Sequence, residues 1–214
     1  MLNMKQSKTE RFFSEPEQER IRQAVKSAES QSAGEIATMV VAESDPYREA
    51  TLAGSLFVSS AAALASAVLL QHLSVWSYLP LLVVFTLPSW LLFRFFPRLR
   101  LPFAGKGRIS EAVRQRAVRA FYEKGLYRTS HETGVLIFIS LLERKVWILG
   151  DRGINERIAP AAWSSMARDL ARGMAEDRCC DALCDTVARV GRELERHFPR
   201  LPDDRNELSD QVLT

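Results

Sequence analysis

Apolar residues along this chain change their spacing from segment to segment, and each change predicts an element. Near the start, Ile21, Ala24, Val25 and Ala28 recur at helical intervals behind "SEPE" (14–17). A serine followed three residues later by glutamate is a capping box, and Pro16 is tolerated in a first turn. An amphipathic helix is therefore predicted, stopping near Gly34. "EIATMVVAE" (35–43) switches to the β-branched, apolar character of a short buried strand. "ISEAVRQRAVRAFYEKGL" (109–126) returns to helical spacing, with Ser110 as the expected cap, Ala117, Phe121 and Tyr122 facing inward, and Gly125 as terminator. "GVLIFISL" (134–141) is almost continuously apolar, as a central strand covered on both faces should be. "ERK" then predicts a tight turn, "VWILG" (146–150) a returning strand, and residues 154–173 and 178–197 two more helices. The tail "FPRLPDDRNELSDQVLT" is proline- and acid-rich and is expected to be irregular.

The pattern breaks between residues 50 and 93, where no charged side chain occurs. Two segments fill the gap, "TLAGSLFVSSAAALASAVLL" (51–70) and "YLPLLVVFTLPSWLLFRFF" (78–96), each near the about 20 residues that cross a hydrocarbon core of about 30 Å. "QHLSVWS" turns between them, with Trp76 and Tyr78 where an interfacial aromatic belt would sit. The rest of the chain is too short to surround such a hairpin in a soluble core, so a transmembrane hairpin is predicted. Ser55, Ser59, Ala63 and Ala67 recur every four positions and form a small-residue face, suited to the second segment or to another copy of the chain. Pro80 and Pro88 are tolerated in a membrane helix, where packing partners absorb the freed carbonyls. Arg48 precedes the hairpin, and Arg94, Arg98, Arg100, Lys106 and Arg108 follow it, whereas the loop has no Lys or Arg. The positive-inside rule then predicts both termini in the cytoplasm, with two spans in the inner (plasma) membrane. The basic linker is expected to lie against anionic headgroups of the lipid bilayer.

The predicted fold class is α/β: a three-layer α/β/α sandwich with a small mixed sheet of about three or more strands, interrupted by the two-helix hairpin. The first two strands should be parallel and the third antiparallel to the second. The expected organisation is residues 1–49 as the first part of a cytoplasmic domain, 50–96 as the hairpin, 97–108 as a basic linker, 109–200 as the second part of the domain and 201–214 as the tail. An insertion in a strand-to-helix connection costs little, because loop closure grows only logarithmically with length.

Composition narrows the chemistry. All 29 basic and 26 acidic residues lie outside positions 50–93, yet the net charge is only +3, with no basic stripe interleaved with aromatics, so nucleic acid is not an expected partner. Cys179, Cys180 and Cys184 are too clustered for a disulfide framework and lack the further ligands of a zinc site. The start "MLNMKQSKTERFF" has no apolar stretch and predicts no signal peptide. P-loop, G-x-S-x-G and H-E-x-x-H patterns are absent, and Cys184-x4-Arg189 misses the five-residue spacing of a phosphate-cradling thiolate loop.

Strand directions bring three places to one sheet edge: Gly34 and Glu35, then His131, Glu132 and Thr133, then Asp151. Glu35, Glu132 and Asp151 are the candidate metal ligands, for Ca²⁺ or Mg²⁺, and Glu35 and Asp151 the candidate catalytic carboxylates. This edge is expected to face the cytosol. The competing structural reading makes Asp151 the cap of the helix near Ile154 and leaves the glutamates solvated.

"SAGEIATMVV", "FYEKGLYRT", "ETGVLIFISLLERKVWILGDRGI", the following Trp163 and "ELERHFPRLPDDRNELSDQV" together resemble the TPM domain family, and more narrowly its short bacterial membrane-associated branch. The resemblance covers almost everything outside residues 44–108 and the first ten. It implies an α/β/α fold whose members differ in role: chloroplast relatives linked to acid phosphatase activity and photosystem II repair, an animal receptor accessory protein, and bacterial domains that bind divalent metal. Asp151-Arg152-Gly153 stands where longer members carry a glycine-x-glycine turn. The expected function is a membrane-anchored, non-catalytic module that holds another membrane protein during assembly or quality control. The alternatives are a divalent-metal-assisted phosphatase and a metal-binding domain without turnover.

Overall fold

The computed structural model describes residues 9, 12–71, 74–129, 132–200 and 213. In chain order the elements are α1 (Glu15–Glu29), β1 (Glu35–Val41), α2 (Arg48–Leu69), α3 (Val75–Phe95), a short α4 (Leu101–Ala104), α5 (Lys106–Glu123), β2 (Gly134–Ser140), β3 (Lys145–Gly150), a short α6 (Arg152–Asn155), α7 (Pro160–Ala175) and α8 (Cys179–His197). They divide into two units, Met1–Ser44 with Ala112–Thr214, and Asp45–Glu111.

In the first unit the capping box forms as predicted. The Ser14 backbone N–H and hydroxyl both donate to Glu17 Oε2, at 2.9 and 2.7 Å. These bonds hold the Glu17 carboxyl below its ordinary range, the Ser14 hydroxyl contributing most. The sheet has the order β1-β2-β3, with β1 parallel and β3 antiparallel to β2. Alternation sorts its side chains into two faces. Ile36, Val40, Ile137, Ile139 and Ile148 pack with Ile21 and Val25 of α1, Leu170 of α7 and Leu183, Val187 and Val190 of α8. Ala37, Met39, Leu136 and Phe138 face Val113, Ala117, Ala120 and Phe121 of α5. Burying each large aliphatic side chain contributes about 1.5–3 kcal/mol, and together the two faces make the α/β/α sandwich.

Departures from the sequence expectation have local causes. The helix expected over 154–173 is split: Ala159 is extended, as the residue before a proline prefers, and Pro160 opens α7 at its first position. Helix α5 starts earlier than Ser110, whose hydroxyl donates to the Lys106 carbonyl at 3.0 Å instead of capping. Tyr122, expected inward, is 61% exposed because Phe121 already occupies the inward position beside it. Gly125, at φ +74°, does terminate the helical run. Of the tail, 201–212 and 214 lie outside the described residues. Leu213 pairs with β1, donating to the Thr38 carbonyl at 2.8 Å and accepting from the Val40 N–H at 2.9 Å.

The second unit is built the other way round. In α2 the buried positions are Ala50, Gly54, Ser55, Ser59, Ala63 and Ala67, and in α3 they are Ser89 and Phe93. The small-residue face is thus buried within the hairpin itself. Gly54 lets Phe93 approach, since a Cβ there would lie 2.3 Å from Phe93 Cε1. The hydroxyls of Ser60 and Tyr78 pair across the two helices at 2.6 Å. Helix α3 runs without a break through Pro80 and Pro88. At the hairpin's base, Arg100 is buried and donates from Nε to the Phe93 carbonyl (3.0 Å) and from Nη1 to the Pro46 carbonyl (3.2 Å). Arg108 bonds Asp45 at 2.9 Å and lies 3.4 Å from Glu49. Two of the four linker cations are therefore engaged in closing the hairpin.

Candidate functional site

The sheet register decides which predicted acids meet. Glu35 pairs with Gly134 across the parallel ladder, and the Asp151 N–H donates to the Gly134 carbonyl at 2.8 Å from the other side. Alternation puts Glu35, Gly134 and Asp151 on the face covered by α5, so two carboxylates flank a residue with no side chain. Gly134 is required there: a Cβ would lie 2.3 Å from the Leu126 carbonyl oxygen, which comes down over the strand. The Thr133 hydroxyl fixes the adjoining segment by donating to the Ala33 carbonyl at 2.8 Å.

The three acids have different surroundings. Glu35 is 7% exposed. Asp151 is half-buried and caps α6, its Oδ1 accepting from the Arg152 N–H at 2.7 Å, while Oδ2 is buried with no protein partner. Glu132 is exposed, with φ +52°, and His131 lies outside the described residues. Two strand spacings, about 10 Å, separate the β1 and β3 backbones. Among the described residues no three His, Cys, Asp or Glu side chains stand close enough to hold one ion.

A second polar cluster, not foreseen from sequence, stands at the carboxyl ends of β1 and β2. Glu143, only 8% exposed, accepts the Ser44 N–H at 2.9 Å and the Ser140 hydroxyl, and the Ser44 hydroxyl donates to Ser140 Oγ at 2.8 Å. Its one sequence signal was an acid directly after a strand's apolar run, where a tight turn already accounted for it. Burial satisfies these groups among themselves, so the cluster holds the strand ends rather than offering a reactive group. The cysteines are equally inert: burial pushes the Cys179 thiol up to about 12 and the Cys184 thiol up to about 11, leaving both protonated at neutral pH.

Comparison with known proteins places this geometry. No curated protein matches the chain. The NMR structure of BA42 protein from the psychrophilic bacterium Bizionia argentinensis shares the fold, with a TM-score of 0.58 and 18% identity, over 94% of each chain. The TPM domain family matches residues 106–193, the stretch that supplies α5, β2, β3, α6, α7 and most of α8. Residues 106–193 thus carry a TPM domain.

Proposed function

We propose that the chain is anchored in the bacterial inner membrane by its hairpin, with both termini cytoplasmic. Its TPM unit then serves as a non-catalytic module that holds another membrane protein during assembly or quality control. The observation that supports the anchor is the outward display of the hairpin's large apolar side chains. Only 28% of the most apolar stretch of α2 and 6% of that of α3 is buried. Leu56, Phe57, Val83 and Leu87 are 55, 66, 72 and 63% exposed. In water a continuous apolar surface of this kind drives aggregation; in lipid it is solvated.

A cysteine at Ser74 tests the anchor. In intact cells, a membrane-impermeant maleimide should label it from outside. Labelling only after the cytosol is opened overturns the topology. The module reading predicts that deleting the protein leaves a defined set of membrane proteins unassembled, restored by Glu35→Ala and Asp151→Ala variants.

A phosphatase is the second reading, favoured by the register that sets Glu35 and Asp151 on one sheet face. It requires phosphomonoester hydrolysis by the purified protein that those two substitutions abolish. Equal trace activity in all three proteins ends it.

A further inference from the structure

We propose that the groove between α7 and α8 binds a phosphoryl dianion, either free phosphate or a phosphate-monoester lipid headgroup. The groove has a volume of about 390 Å³ and carries Asp169 and Arg172 from α7, Arg178 from the residue just before α8, and Asp185, Arg189 and Arg192 from α8. Steps of four and three residues keep Asp185, Arg189 and Arg192 on the same helix face. Its floor is closed by the tightest approach of the two helices, where a Cβ on Gly173 would lie 2.2 Å from that of Ala182.

The charges are unequal and partly committed. Asp169 Oδ2 accepts from Arg189 Nη1 at 2.6 Å, and its Oδ1 lies 3.6 Å from Arg172 Nη1. The Arg189 guanidinium holds the Asp169 carboxyl below its ordinary range. Arg178 pairs outside the groove with Glu176. Four guanidinium groups thus line the groove against two carboxylates, and with Arg178 neutralised by Glu176 a net positive charge remains for an anion to balance. A guanidinium has five N–H donors, so Arg189, oriented by Asp169 through one of them, keeps others for a ligand. All four cations are arginine, whose planar fork matches phosphoryl oxygens better than an ammonium does. Asp185 opposes an anion, and that makes the proposal sharp.

The test uses full-length protein in detergent micelles, titrated calorimetrically with inorganic phosphate at constant ionic strength. Saturable one-to-one binding is expected. Arg192→Gln and Arg178→Gln should each weaken it about tenfold, the size of one charge-assisted pair. Asp185→Asn should tighten it several-fold, a gain that misfolding cannot imitate. A parallel arm compares nanodiscs containing phosphatidic acid with pure phosphatidylcholine nanodiscs. Binding of phosphate in micelles identifies a soluble ligand, and binding of phosphatidic acid alone identifies the headgroup. An ion-pair network that merely staples the two helices predicts no saturable binding in either arm, or affinities indifferent to all three substitutions. Either result overturns the proposal.

Discussion

Leu136 and Ile137 in the sandwich are 0% exposed, whereas Leu56 and Val83 in the hairpin are 55% and 72% exposed. The interiors differ in the opposite sense: the sandwich is filled by large aliphatics and Phe138, the hairpin mainly by Ser55, Ser59, Ala63, Ala67 and Ser89. The same residue types occupy opposite sides, the arrangement that the proposed lipid solvation of the second unit calls for. In water the driving force is removal of apolar area. Between helices in lipid that force is absent, and close approach of small residues with a few hydroxyl contacts takes its place. The Ser60–Tyr78 pair and the Gly54–Phe93 contact are of this second kind.

That contrast can be broken at several points. Ile137→Ala should cost about 2–5 kcal/mol of stability, while Leu56→Ala should cost close to nothing in detergent, both read from denaturant unfolding of the full chain. Equal losses would mean the hairpin's outward face is a protein core after all. Gly54→Leu should destabilise the second unit by about 1–3 kcal/mol through overpacking, seen as faster proteolysis of the loop. Gly107→Ala, where no atom lies within 4 Å of an added Cβ, is its neutral control.

Buried polar ties sharpen the comparison. Glu143→Ala strands the Ser44 N–H and the Ser140 hydroxyl, and Arg100→Ala strands the Phe93 and Pro46 carbonyls. Each should cost about 1–3 kcal/mol, measured by thermal unfolding. Smallest is Ser14→Ala, at about 1 kcal/mol for a lost helix cap. The Glu17 carboxyl is depressed in the folded state, so its contribution is present above the unfolded carboxylate range and is lost as pH falls through the lowered value. The difference between wild type and Ser14→Ala should therefore shrink below about pH 4 in unfolding curves taken across pH.

Much of the fold was legible because its signals are local. The capping box at Ser14, the apolar run 134–141, the uncharged stretch 50–93 and the terminator Gly125 each act within a few residues. The split at Pro160 was legible in principle, since a proline opening a helix carries its own signature, and apolar spacing alone hid it. The candidate site was half legible. Strand directions sent Glu35 and Asp151 to one edge, but whether their side chains share a face depends on register, which only the β1–β2–β3 ladder sets. Glu143, Arg100 and the arginine groove were not legible, because each depends on partners from 7 to 99 residues away.

By itself the sequence determined the order of elements, the hydrophobic class of each and the existence of an uncharged segment long and apolar enough for two membrane-crossing helices. These follow from composition and periodicity, which are properties of neighbouring residues. The tertiary structure alone decided which carboxylates face each other across Gly134, which arginines close the hairpin's base and which line a groove. Such pairings arise when distant stretches are packed together, and a one-dimensional pattern carries no distance between them.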